Sequence, residues 1–464
     1  MATRTVEGVD ALASGSVGRL LWHGTTQATM SVGIYGVYAL TNAAFVAYGV
    51  GPDAMGAVNL VAPVLLVLGA LSATVGTGGA SLVSRRLGMG DNEGAARSAG
   101  TAFTVFWAGA IAIAVAGLAG LEPLLTALGA EGELRGYARD YAVVILASTL
   151  VGTGFSSLVR AEGRLRFATM LWVVPVLVQI ILDPILIFGF DMGVRGAAVG
   201  TVAGQAVSAA MSLWFFFGKR DRPYRIRAAH LRPHWPTIRS LLAVGSPSML
   251  AGLGATALTL IVNNTLAGLG AAAAVTAYAA CTRIQTFATM PQLGISQGMQ
   301  PIVGFSAGRG DHDRIHRTRT LALRATFIYS AAAAALTALF ADHLTTLLLG
   351  VASAEAATAL RIIAAGLALS GIPPLASAYF QAIDRPRPSY AISAGTLLAL
   401  KVPAVLAFST IGTTGVWIGL AVGELTAAAV ALVLLMRPTP EPRAVVFTGA
   451  TRDSVDPDRR SSDA

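Results

Sequence analysis

Charge is scarce in this chain. Only 12% of its 464 residues are Asp, Glu, Lys or Arg, about half the share in soluble domains. Cysteine occurs once, at Cys281 inside an apolar stretch, so no intrachain disulfide forms and no thiol chemistry is indicated. The six histidines, at 23, 230, 234, 312, 316 and 343, lie in loops or near the ends of apolar runs. His312 and His316 have helical spacing but sit in a basic loop, and no metal site is expected. No Ser/His/Asp set converges, so the chain is not expected to be an enzyme. No Gly-rich loop ends in Gly-Lys-Ser/Thr, which argues against an ATP-driven pump. No cofactor is expected.

What the chain has instead is apolar length. Hydrophobic residues make up 54% of it, and the uncharged stretches 54–84, 98–121 and 240–282 are each long enough to cross a bilayer, since a spanning helix needs about 20 residues. A β-barrel would show short alternating strands instead. The pattern predicts an all-α polytopic membrane protein with twelve spans, near 24–48, 56–82, 99–121, 140–159, 167–190, 196–218, 240–268, 272–306, 322–341, 358–383, 388–410 and 413–436. The polar N-terminal stretch lacks a short apolar core with a cleavage site, so no cleaved signal is expected. The Pro-, Arg- and Asp-rich tail 437–464 reads as disordered.

The net charge of +9 is spread unevenly. Alternate loops, with both termini, hold 27 of the 33 Lys and Arg; the opposite loops hold only Arg135, Arg139, Arg195 and Arg361. Arg283 and Lys401 lie within or beside spans. By the positive-inside rule both termini are cytoplasmic. Such confinement fits a lipid bilayer and argues against nucleic acid as a partner.

The chain also repeats itself. GVRGAAVGTVAGQA at 193–206 aligns with GTTGVWIGLAVGEL at 412–425, so Gly193, Gly196, Gly200 and Gly204 fall on Gly412, Gly415, Gly419 and Gly423 at an offset of 219. GMGDNEGA at 88–95 matches GRGDHDRI at 308–315 at 220, and AEGRL at 161–165 resembles AIDRP at 382–386 at 221. A six-span repeat has even parity, so the two six-helix lobes share orientation and are related by a pseudo-two-fold along the membrane normal. The expected organisation is an N-terminal cytoplasmic segment 1–23, an N-lobe 24–218, a basic cytoplasmic linker 219–239, a C-lobe 240–436 and the tail 437–464. The glycine spacing itself predicts tight helix packing.

Only two carboxylates fall inside spans, Asp183 and Glu424; Asp140 and Glu162 read as solvated end charges. Asp183 lies in WVVPVLVQIILDPILIFGFD, 172–191. A carboxylate there costs a few kcal/mol or more and marks a functional position; withdrawal from water suits reversible protonation. Gln179 is four residues earlier on the same helix face. Pro175 and Pro184 remove backbone donors and are expected to loosen the helix nearby. Asn42, Tyr38 and Tyr35 on the first span are candidate polar ligands or packing contacts. Glu424 occupies the repeat position of Gln205, and Lys401 either faces a lobe interface or pairs with Glu424. Met30, Met249, Met290 and Phe287 are candidate cavity residues, with core packing as the alternative.

Four segments together resemble the multidrug and toxic compound extrusion (MATE) family, in its bacterial branch of MepA- and DinF-like exporters: NAAFVAYGVG from 42, GGASLVSRRLGMGD from 78, LDPILIFGFDMGVRGAAVGT from 182 and QGMQPIVGFSAGRGD from 297. The similarity runs from about 32 to 436. It implies two six-helix lobes forming a V around a central cavity, a bacterial inner-membrane location, a monomer, and export of amphipathic, often cationic drugs in exchange for H⁺ or Na⁺. It also implies a cation or proton site at Asn42, Gln179, Asp183 and Thr201. The chain departs from the family pattern in having Asn at 42 rather than Asp and Gln at 179 rather than Asn. A single carboxylate remains, which favours a one-proton cycle over Na⁺. The substrate cavity is expected to involve Tyr35, Tyr38, Gln205, Met249, Arg283, Phe287, Met290 and Glu424. A lipid-linked glycan flippase is the alternative within the same superfamily; it would need several cavity cations, and Arg283 and Lys401 are the ones on offer. A channel or a non-transporting scaffold is the alternative of another class.

Overall fold

Uninterrupted apolar runs leave the backbone no solvent to bond with, so each run closes its own hydrogen bonds as a helix. The computed structural model describes residues 8–151 and 155–437. The tail from 438 and the first seven residues lie outside the described residues, as does the side chain of Tyr35. Helices dominate and no strand occurs among the described residues. Twelve rods follow one another: α1 (Val17–Gly49), α2 (Pro52–Gly88), α3 (Asn92–Ala119), α4 (Gly132–Ala147 continued by Thr149–Ala161), α5 (Leu165–Gly189), α6 (Gly193–Gly218), α7 (Trp235–Gly268), α8 (Ala272–Arg309), α9 (His312–Leu339), α10 (Ala354–Ala382), α11 (Pro386–Ile411) and α12 (Thr413–Met436). α4 bends by 52° at its break.

Among the described residues, nine of these rods are long and apolar enough to cross a membrane, ten with the bent α4. The two left over are α1 and α8. They pack against each other along the junction between the lobes. α7 starts at Trp235, a turn earlier than the hydropathy predicts, because Pro236 sits in its first turn where no N–H is needed.

The basic loops gather at one end of the bundle, and the packing differs between the ends. At the basic end a single apolar core runs through both lobes, taking Val75, Phe103 and Phe216 from the first and Ile302, Tyr379 and Phe380 from the second. At the opposite end there are two separate cores. One, around Ala57, Tyr141 and Val194, belongs wholly to α1–α6; the other, around Leu266, Tyr278 and Trp417, belongs wholly to α7–α12. The lobes are therefore joined at the basic end and part towards the other, which makes the predicted V.

The join respects the pseudo-two-fold. Gly24 of α1 meets Gly298 of α8, where an added Cβ would fall 3.1 Å from the Gly298 Cα. The symmetry mates Gly245 of α7 and Gly78 of α2 meet in the same way, a Cβ on Gly78 falling 3.3 Å from the Gly245 nitrogen. Polar ties cross the same seam. Arg85 Nη1 lies 2.6 Å from Asp384 Oδ2, and Ser81 Oγ donates to the Gln381 carbonyl at 2.6 Å.

Glu162 corrects the sequence reading. It is not a solvated end charge but fully buried, paired with Arg222 of the inter-lobe segment, and the two side chains are 0% and 1% exposed. Aromatic rings close over the pair: the Arg222 guanidinium lies 4.5 Å from the Phe216 ring centre and 4.6 Å from that of Tyr224. Asp140 does behave as an end charge, partly exposed and held by Arg195 at 2.8 Å.

Candidate functional site

α5 and α6 pack closely because α6 presents a glycine stripe. A Cβ on Gly204 would lie 2.8 Å from the Pro175 carbonyl, one on Gly196 3.1 Å from Leu186 backbone, and one on Gly200 only 2.0 Å from Asp183 Oδ1. The stripe therefore does what its spacing predicts, and Gly200 also makes the niche for a carboxylate. Just after Pro184 the helix widens into a π-helical turn, Ile185–Gly189. This is the local loosening expected where proline withholds an N–H.

Asp183 is 1% exposed. Asn42 Nδ2 of α1 donates to its Oδ2 at 3.4 Å, and Gln179 Nε2 donates to the same oxygen at 3.3 Å. Gln179 Nε2 also reaches Thr201 Oγ1 on α6 at 3.1 Å, and the Tyr38 hydroxyl is 3.5 Å from that Oγ1. Asp183 Oδ1 is buried with no hydrogen-bond partner, and no Lys, Arg or His among the described residues pairs with the carboxylate. Three helices thus bring Asn42, Gln179, Asp183 and Thr201 into one cluster, with Tyr38 at its edge. Neutral dipoles face one oxygen, and the other is left free to take a proton or a cation.

The cluster borders a cavity of about 510 Å³, with Tyr38, Gln179 and Thr201 in its wall. A cavity of this size suits a drug-sized molecule. It lies within the first lobe, between α2, α4, α5 and α6, and is floored by Gln297, Gln300 and Pro301 of α8. Its wall therefore draws mostly on the first lobe, with α8 of the second closing it. Tyr38 and Gln205 do line it; Met249, Arg283, Phe287, Met290 and Glu424 do not. Phe287 and Met290 face Gly36 of α1, where an added Cβ would come within 3.7 and 3.0 Å of them. Arg283 is exposed and Met249 half-buried on the second-lobe side. Glu424 is held by Lys401, Nζ to Oε1 at 2.5 Å. At the offset of 219 Asp183 itself falls on Val402, so the second lobe has no carboxylate there and carries an internal ion pair at the next residue, Lys401.

Arg160 is one of the 27 Lys and Arg counted in loops and termini, yet it is buried and in the cavity wall. The available signal was the repeat, since Arg160 falls on Gln381 at the offset of 221.

Comparison with known proteins gives a consistent picture. The sequence profile of the MatE family matches residues 28–185 and again 247–406. The two matches start 219 residues apart, the offset of the glycine repeat. Multidrug export protein MepA of Staphylococcus aureus (strain NCTC 8325 / PS 47) is 27% identical over 410 residues, covering 86% of this chain and 89% of that protein. The match to MepA of Staphylococcus haemolyticus is also 27% identical but spans only 60% of that protein's length and 58% of this chain. Among solved structures, a MATE protein in complex with MaL6 superposes with a TM-score of 0.86 at 27% identity, covering 93% of this chain and 98% of that one. The outward-facing conformation of a multidrug resistance MATE family transporter of the MOP superfamily gives 0.85 at 26% identity, covering 93% and 97%.

Proposed function

The chain belongs to the MatE family, and on that footing we propose that it is a secondary active antiporter, exporting amphipathic organic compounds, cations among them, in exchange for H⁺ or Na⁺ bound at Asp183. One observation carries the reading. A buried carboxylate borders a drug-sized cavity and has no positive partner among the described residues. Burying an uncompensated charge is costly, so such a group is stable only when it holds a proton or a cation. Because Asn42 and Gln179 both turn N–H groups towards Oδ2, the arrangement supports a proton more readily than a metal ion, which would need oxygens there.

Loading of Asp183 would favour one packing of α1, α5 and α6, and substrate the other. Each ligand shifts the equilibrium only by its difference in affinity for the two states. With the basic end cytoplasmic by the positive-inside rule, the parted end faces outward. The flippase alternative calls for several cavity cations, and among the described residues the cavity wall carries one, Arg160, while Lys401 is paired with Glu424.

The test is efflux of a fluorescent organic cation from proteoliposomes under an imposed ΔpH or an imposed Na⁺ gradient. Flux under ΔpH alone supports the proton cycle. Flux under Na⁺ alone means that the amides rotate to complete a cation site. No flux under either gradient overturns the antiporter reading.

A further inference from the structure

Arg160 lies at the α4 end of the cavity, 7% exposed. It has no carboxylate within ion-pair distance among the described residues. The carboxylate nearest in sequence, Glu162, is taken by Arg222. Among the described residues the hydrogen bond of Arg160 goes from Nη1 to Gln297 Oε1 on α8. Its Nε is buried with no partner, and so is Nε2 of Gln300 on the same cavity floor. Removing a guanidinium from water without a counter-charge is expensive, so the position needs a reason.

The repeat shows that the reason is not the helix contact. The equivalent residue of the second lobe is Gln381. It is also buried, and it ties its lobe to α7 through Ser248 Oγ, at 3.3 Å from Oε1 and 3.0 Å from Nε2. A neutral amide is enough for the tie. The positive charge on the first-lobe side is surplus to it.

We propose that Arg160, with Gln300 beside it, holds the anionic group of the transported molecule, and that the cavity takes aromatic amphiphiles bearing a carboxylate. A guanidinium presents donors in a fork that matches a carboxylate. Trp172 and Phe106 of the same wall supply faces for an aromatic body, and Ser156 and Ser208 supply hydroxyls near it. The proposal rests on the exporter reading and narrows its substrates: a carboxylate sits at the α4 end, away from Asp183.

The experiment is equilibrium dialysis of 2-naphthoate, and separately of neutral 2-naphthamide, against the purified full-length protein. The acid is expected to bind about tenfold or more tightly than the amide, as loss of a charge-assisted hydrogen bond predicts. Arg160→Gln is expected to abolish the preference and leave naphthamide binding unchanged; Arg160→Lys keeps most of it. Equal binding of acid and amide to the wild type overturns the proposal, and so does a preference that survives Arg160→Gln. Should Arg160→Gln not fold, Gln300→Leu removes the second unpartnered donor and is expected to weaken naphthoate binding alone; an unchanged acid-to-amide ratio then overturns it. Organic-cation efflux by the wild type is a separate readout. Its absence would sink the exporter reading while leaving a measured carboxylate preference intact.

Discussion

Gly88 and Gly308 are images of one another across the pseudo-two-fold, and each sits on the backbone of the other's helix. A Cβ on Gly88 would lie 2.1 Å from the Phe305 carbonyl oxygen, and one on Gly308 would lie 2.0 Å from that of Arg85. Phe305 and Arg85 are themselves separated by the repeat offset of 220. Gly88→Ala or Gly308→Ala is therefore expected to push α2 and α8 apart, at a cost of about 1–3 kcal/mol. Thermal unfolding in detergent checks this; an unchanged midpoint would mean that the seam is looser than described.

Breaking the polar latch should act on conformation more than on stability. Arg85 is largely buried, whereas Asp384 is about two-fifths exposed and holds a left-handed backbone at φ 62°. Loss of a charge-assisted bond is worth about 1.5 kcal/mol or more, so Asp384→Asn is expected to raise the share of molecules open at the basic end by up to about tenfold. Labelling of a cysteine introduced at Ser84 reports the opening. An unaltered labelling rate would show that the ion pair does not hold the seam.

Asp183→Asn should leave the fold intact, because its neighbours Asn42, Gln179 and Thr201 are neutral and still find an amide to bond. Gradient-driven efflux is expected to vanish, whereas binding of a neutral ligand in the cavity is kept. Efflux that persists across pH in this variant removes Asp183 from the coupling role.

Gly200→Ala attacks the same group sterically. The new methyl would lie 2.0 Å from Asp183 Oδ1, so the carboxylate must rotate or α6 must retreat, at about 1–3 kcal/mol. The expected outcome is a strong loss of coupled flux with protein still in the membrane. Full activity would mean that the niche does not constrain the carboxylate.

Glu162→Gln strands the buried Arg222 guanidinium among aromatic rings. Removing one partner of a buried pair costs about 3–5 kcal/mol, and a large fall in the unfolding midpoint is expected. Glu122→Gln, at the exposed pair with Arg135, is the control and should change nothing measurable.

Much of this was legible in the sequence because a membrane enforces simple rules. Apolar length marks helices, the loop bias marks the ends, and a carboxylate inside an apolar run stands out. Gln179 was readable by its four-residue spacing from Asp183, whereas Thr201 entered only through family resemblance. What stayed hidden depends on depth rather than on identity. Arg160 and Glu162 adjoin a basic loop, where solvation is the natural expectation. Only the fold reveals that Gln297 of α8 and the Arg222 segment cover them. For the residues assigned to α7, α8 and α12, apolar spacing does not say which space a side chain enters: Phe287 stays half exposed beside Gly36, outside the first-lobe cavity.

In the second lobe the in-span carboxylate Glu424 carries its own counter-ion, Lys401. In the proposed antiport cycle the first lobe, with Asp183 as its one carboxyl at the site, handles a single elementary charge per turnover. Swapped one for one against a proton, a univalent cation moves no net charge across the bilayer, so the pH difference alone can drive it. A substrate with no net charge leaves that proton uncompensated. Its export becomes a current, and membrane voltage joins the driving force.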